Sequence, residues 1–224
     1  MSRHVVSVTL DNLSDLPQHC RKCVYWEVAP HVRGQVEEFG ETEFEKEAWV
    51  SSVLLEWGSC GRLLYSDTLP VGFVLYAPPT AVPRAGAFPT SPASPDAVLV
   101  TAFHVQPEFR GGGVGRTLVQ EVAKDLTRRG VRAIEAFGDA QPDDKDANEH
   151  RCVLPAGFLA SVGFKTVRPH PRWPRLRLEL RAGILWKEDV ESALERLLGQ
   201  VSVSTAGTSS FVRPDPAGSP FSVA

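Results

Sequence analysis

This sequence predicts an α/β sandwich around a mixed sheet, and three observations predict it. Residues 98–105, Val-Leu-Val-Thr-Ala-Phe-His-Val, form a β-branched, apolar run suited to a strand buried on both faces. Directly after it comes Arg110-Gly-Gly-Gly-Val-Gly115, a glycine-rich turn that leads into an amphipathic helix. The third observation is the order of elements, β, α, β-β, β-α-β, α-β-β. With 224 residues the chain has room for one full core, and residues 1–199 are expected to form a single domain.

Residues 5–10 read as the first strand, and residues 11–16 as a helix or turn stopped by Pro17. Over 44–57, Phe44, Ala48, Val53, Leu54 and Trp57 recur at helical spacing, and Gly58 ends the run. Residues 61–66 and 71–76 flank Asp67-Thr-Leu-Pro70 as a hairpin. Six prolines fall within 77–96, which is expected to be an extended surface loop without fixed secondary structure. Strand 97–105 stops at Gln106-Pro107, because proline cannot donate to a ladder. In the helix over 114–129, Leu118, Val122 and Leu126 form the stripe that Val119 and Ala123 widen. Residues 132–137 read as a buried strand, 154–162 as a short helix, and 165–168 and 176–180 as the last strands. A terminal helix is expected over 186–198, with Val190, Leu194, Leu197 and Leu198 on one stripe. Ser, Thr, Gly and Pro dominate after it, so 200–224 is expected to be a disordered tail.

Composition excludes several function classes. A net charge of −3 leaves no basic footprint for nucleic acid. No apolar stretch approaches the length of a membrane span. Met-Ser-Arg-His-Val lacks the apolar core of a secretion signal, and four cysteines do not make a disulfide scaffold. A reduced, cytoplasmic protein is the expectation.

The glycine-rich turn presents backbone N–H groups at the positive end of a helix, where a phosphate or pyrophosphate binds. It ends Gly-Arg-Thr, so it is not a P-loop. A dinucleotide fingerprint started at Gly111 or Gly113 would need glycine where Arg116 or Leu118 stands. The pattern that fits is R-x-x-G-x-G, Arg110 to Gly115. With the helix behind it and Phe158-Leu-Ala-Ser-Val-Gly163-Phe164 downstream, it resembles the acyl-CoA motif of the GCN5-related N-acetyltransferase (GNAT) superfamily. The Cys-Arg-Lys-Cys-aromatic-Trp-Glu opening resembles that of a bacterial subgroup.

The resemblance covers about residues 50–182 and implies a largely antiparallel sheet flanked by helices. It implies acetyl-CoA as co-substrate and no metal. Arg110, Gly111, Gly112, Gly113, Val114, Gly115 and Arg116 would hold the pyrophosphate, and Phe103, His104 and Val105 would pair with the pantetheine arm. The activity implied is acetyl transfer to a primary amine of a small molecule or protein, by direct attack in a ternary complex. A homodimer is an assembly common in the family. Two other readings stand beside it: a non-catalytic acyl-CoA-binding module, and a metal-stabilised interaction protein built on Cys20 and Cys23.

Relatives that carry a base on the acyl-CoA strand place it on the face expected here for Leu99, Thr101, Phe103 and Val105, none of which is a base. Alternation puts His104 on the opposite face, as a packed side chain. The family's leaving-group tyrosine falls on Leu159, so the thiolate would take its proton from water, or Cys152 or His150 would substitute. Glu135, a carboxylate in the apolar strand Ala133-Ile-Glu-Ala-Phe137, is the first candidate base, because such a group is expensive unless paired or functional. Glu27 is the second. Cys20-x-x-Cys23 finds no further zinc ligands at ligand spacing and no preceding strand for redox chemistry, so it is read as structural, with aromatic residues lining the acceptor site. Residues 139–149 carry five carboxylates against one lysine, either as a solvated loop or as a steering field for a cationic amine. His170-Pro-Arg-Trp-Pro174 either rims the acceptor or fixes a turn.

Overall fold

A computed structural model describes residues 2–142 and 152–180 of the chain. The expected terminal helix over 186–198, the tail from 200, residues 143–149 of the acidic loop and His150 lie outside the described residues.

Eight strands form one sheet: β1 (Arg3–Ser7), β2 (Gly61–Ser66), β3 (Leu69–Ala77), β4 (Ala97–Val105), β5 (Ala133–Asp139), β6 (Leu154–Pro155), β7 (Lys165–Arg168) and β8 (Arg175–Glu179). Their order is β1-β2-β3-β4-β5-β8-β7, with β6 added to β5. Only β4–β5 and β5–β6 are parallel, so the sheet is mixed and largely antiparallel. Helices α1 (Gln18–Arg21), α2 (Pro30–Glu38), α3 (Thr42–Glu56), α4 (Val114–Arg128) and α5 (Ala156–Ser161) flank it.

Each face of the sheet carries its own core. Trp26, Trp49, Val50, Phe73, Leu99 and Phe137 belong to one, which packs α3 and the N-terminal segment. Val98, Val100, Leu118, Val122, Leu126 and Leu159 belong to the other, which packs α4 and α5. The α4 stripe buries as its spacing predicts. Its polar side is less idle than expected: Asp125 accepts from Arg62 Nη2 at 2.7 Å and from the Tyr76 hydroxyl at 2.9 Å, which ties α4 to β2 and β3.

Four expectations are corrected. The first strand runs from Arg3 to Ser7, earlier than 5–10. The short helix expected from 154 begins at Ala156, because Leu154 and Pro155 pair with Gly138 and Asp139 of β5. Helices α1 and α2 were not expected; α2 buries only Val36, so it carries no apolar stripe for periodicity to reveal. The Pro-rich stretch is not a bare surface loop. It holds two 3-10 turns, Pro79–Ala81 and Pro83–Ala87, each opened by a proline whose fixed φ suits that position. Phe88 follows them into the core, stacked on Phe137 with ring centroids 4.4 Å apart and on Trp26 at 5.3 Å.

Candidate active site

One irregularity in β4 sets the site. Val74 pairs with Phe103 and Tyr76 with Val100, so Leu75 alone faces Thr101 and Ala102. Such a bulge inserts one residue and flips the alternation beyond it. Leu99 packs in the core beneath α3, whereas Phe103 and Val105 pack beside α4 with Val98 and Val100. The face expected for Leu99, Thr101, Phe103 and Val105 is therefore split. His104 comes onto the Leu99 side and stacks on Phe73 at 6.2 Å. Thr101 is buried and donates to the Leu75 carbonyl.

The second feature is a wedge. β4 pairs with β5 only over Ala97–Leu99, and from Gly138 onward β5 pairs with β6 instead. Between them opens a cavity of about 490 Å³, with Phe103, Val105, Leu154 and Phe158 on its walls. The expected cofactor residues stand on this wall except two. Gly112 accepts from Arg3 Nη1 at 2.7 Å through its carbonyl, and Arg116 is exposed on α4.

The glycine turn lies at the cavity's mouth. Gly113 stands at the N-cap of α4 with φ +80°, and as glycine it brings no side chain to the first-turn N–H groups. Space around Gly111 and Gly113 is open, so their backbone is approachable. A Cβ on Gly115 would come within 3.0 Å of the Phe158 ring, so glycine there lets α4 meet α5 closely. Arg110 folds back and donates to the Val105 carbonyl at 3.1 Å.

Neither candidate carboxylate lines this cavity. Glu135 is 0% exposed and accepts from the Ser94 N–H at 3.0 Å and Arg177 Nη1 at 3.2 Å, with Arg175 at 3.4 Å. Glu27 is buried on Lys46, and its second oxygen accepts the Trp26 N–H. The desolvation that made Glu135 conspicuous in the sequence is thus offset by two guanidinium groups. Leu159 is buried in the α4-side core.

His104, expected beside the pantetheine arm and as a packed side chain, lines the cavity, and its other side meets the His19 ring at 5.3 Å. Burial chiefly, then the neighbouring His19 and Arg110, hold its pKa below the ordinary imidazole value. Ligand atoms of His19, Cys20 and His104 lie within 4.8 Å of one another. Nothing in the sequence spacing announces this meeting of α1 with β4. Cys23 meets Cys152, not Cys20, and Trp26 Nε1 donates to the Cys152 carbonyl at 3.0 Å. His170 Nδ1 accepts the N–H groups of Arg172 and Trp173 and so fixes its turn, while Trp173 edges onto Phe88. Asp139 is buried and accepts the Gln141 N–H at 2.8 Å.

Residues 25–151 match the family model described as acetyltransferase (GNAT) family. The fold is similar to the PaiA N-acetyltransferase of Thermoplasma acidophilum in complex with coenzyme A, at 13% identity and TM-score 0.52, over 80% of this chain and 99% of that one. It is similar too to an N-acetyltransferase of Staphylococcus aureus Mu50, at 13% identity and TM-score 0.52, over 81% of this chain and 100% of that one. YncA of Salmonella typhimurium, solved with its cofactor acetyl-CoA, matches at 13% identity and TM-score 0.52, over 81% of this chain and 96% of that one. No curated protein matches the chain significantly. Among the described residues, no helix is long and apolar enough to cross a membrane.

Proposed function

The chain belongs to the acetyltransferase (GNAT) family, and on that premise we propose that it transfers acetyl from acetyl-CoA to a primary amine, by direct attack with both substrates bound. The observation that carries this reading is the wedge between β4 and β5, open along Val100–Val105 and bordered at its mouth by the glycine-led N-terminus of α4. Backbone N–H groups from Gly111 to Arg116 would hold the pyrophosphate, each worth about 1.5–3 kcal/mol to a charged acceptor. The unpaired edge of Phe103–Val105 would run beside the pantetheine arm. Bound there, acetyl-CoA supplies the activated acyl group.

The chain's own contribution is polarisation and proton removal. Gln106 donates its N–H to Val71 on the β3 side, so the N–H of Val105, one residue earlier, points to the open edge. There it can polarise a carbonyl. An amine of pKa near 10.4 must be neutral to attack, and holding it so at pH 7 costs about 4–5 kcal/mol. His104 is the group on the cavity wall able to take that proton, directly or through water, and its depressed pKa keeps it in the basic form. Glu135 and Glu27 anchor the walls through their ion pairs.

A second reading, an acyl-CoA-binding module without turnover, draws on Leu159 at the position of the family's tyrosine. Calorimetric titration with acetyl-CoA, followed by thiol release with primary amines, tests both. One site per chain plus amine-dependent release supports the transferase, binding without release supports the module, and no binding overturns the cradle.

A further inference from the structure

Three of the chain's four cysteines, Cys20, Cys23 and Cys152, pack against the core under α3, and the acyl transfer proposed above uses none of them. Cys23 Sγ and Cys152 Sγ, both free thiols, lie 2.6 Å apart, so the two sulfurs face each other directly. Both side chains are half-buried against the core under α3. Their places in the fold matter. Cys23 follows α1, whose His19 touches His104 on β4. Cys152 stands two residues before Leu154, which with Pro155 walls the cavity on the other side. The segment from His19 to Trp26 therefore reaches both edges of the wedge.

We propose that Cys23 and Cys152 form a cross-linking site: a small-molecule disulfide oxidises the pair, and the bond formed fastens the N-terminal segment to the strand that walls the acyl cavity. The Cys23 thiolate attacks one sulfur of the oxidant and keeps it as a mixed disulfide, and the other sulfur leaves as a thiol after taking a proton. The Cys152 thiolate then attacks Cys23 in the mixed disulfide and expels the second thiol. Two electrons and two protons pass to the oxidant, and one S–S bond forms while another breaks. Geometry selects this pair over the Cys20–Cys23 pair that the C-x-x-C spacing suggests, because the Cys23 sulfur stands against that of Cys152. The hydrogen bond from Cys152 brings Cys23 down to about 7, near the optimum for an attacking thiol at neutral pH, while the same bond and burial hold the Cys152 thiol well above the ordinary range, so Cys23 attacks first. Cys60 is buried elsewhere in the same core and takes no part.

The experiment uses the full chain, fully reduced and then exposed to oxidised glutathione at pH 7.5. The expected result is a loss of two titratable thiols and two hydrogen masses, and a peptide map joining Cys23 to Cys152. Cys20→Ser should leave that cross-link intact; Cys152→Ser should abolish it and leave a glutathione adduct on Cys23. Serine is nearly the size of cysteine, and circular dichroism verifies the fold of each variant. A Cys20–Cys23 bond, a persistent adduct in the wild type, or four thiols still free would overturn the proposal. So would one equivalent of zinc in the purified protein whose removal alone exposes the thiols.

Discussion

Glu135 and Arg177 stand directly across from each other in the β5–β8 ladder, and their side chains close a buried ion pair at 3.2 Å. Arg177 also holds Asp96 by two contacts, at 3.0 and 2.9 Å, while Glu135 Oε2 takes the Ser94 N–H at 3.0 Å. Arg175 adds a bond to the Pro92 carbonyl. One carboxylate thus pins the end of the Pro-rich loop to the middle of the sheet. Glu135→Gln should cost about 3–5 kcal/mol, because it takes the carboxylate from beside the buried Arg175, while Arg177 keeps Asp96 and Glu179. Urea denaturation reads that loss, and turnover of the folded fraction should change only a few-fold. Unchanged stability with turnover lost would instead make Glu135 the proton acceptor.

The cradle makes a separate prediction. Gly113→Glu puts a negative side chain against the pyrophosphate at a position with φ +80°. Binding of acetyl-CoA should weaken by about a hundredfold or more, since even one amide contact to a charged acceptor is worth about 1.5–3 kcal/mol. Gly113→Ala shares the backbone strain, of order 1–3 kcal/mol, without the charge. Titration calorimetry should find it binding far better than the glutamate variant. Equal affinity in the glutamate variant and wild type would move the anion site away from α4.

What the sequence made legible was local. The run 98–105, the glycines behind it and the stripe Leu118, Val122 and Leu126 lie within a few residues of one another, so spacing alone reveals strand, turn and helix. The bulge was hidden, because it exists only in the register of β4 against Leu75 of β3, and one inserted residue exchanges the faces of Phe103 and His104. Glu135 illustrates the complementary error. A carboxylate in an apolar strand is conspicuous, yet its partners Arg175 and Arg177 come from a strand some forty residues later, and no local pattern announces them. His19 beside His104 and Cys23 against Cys152 are tertiary meetings of the same kind.

The second buried pair, Lys46 with Glu27, joins α3 to the segment after the C-x-x-C. Only 2% of Lys46 and 7% of Glu27 is exposed, so removing either partner strands the other charge. Lys46→Met should cost about 3–5 kcal/mol in chemical denaturation, and the double change Glu27→Leu with Lys46→Met should recover most of it. A double variant no more stable than Lys46→Met would mean the loss comes from packing around α3 rather than from the unpaired carboxylate.

His104 carries the pH dependence of the proposed reaction. Burial, with His19 and Arg110 beside it, disfavours its protonated form in the folded chain. The acid limb of kcat/KM should therefore lie below pH 6.5, with full activity at neutral pH as far as this group is concerned. Linkage gives stability the same sign. Where the unfolded chain binds the imidazole proton and the folded chain does not, stability falls as pH drops below the ordinary histidine value. His104→Gln should remove both effects together: turnover falls about 10²–10⁴-fold, the acid limb disappears, and the stability profile flattens below the ordinary histidine value. Acetyl-CoA affinity should hold within a few-fold, since the wedge and the α4 cradle are untouched. A histidine that served packing alone would lower stability at every pH and leave the acid limb where it was. Rate profiles of wild type and variant between pH 5 and 9, with calorimetric affinities at each end, separate the two.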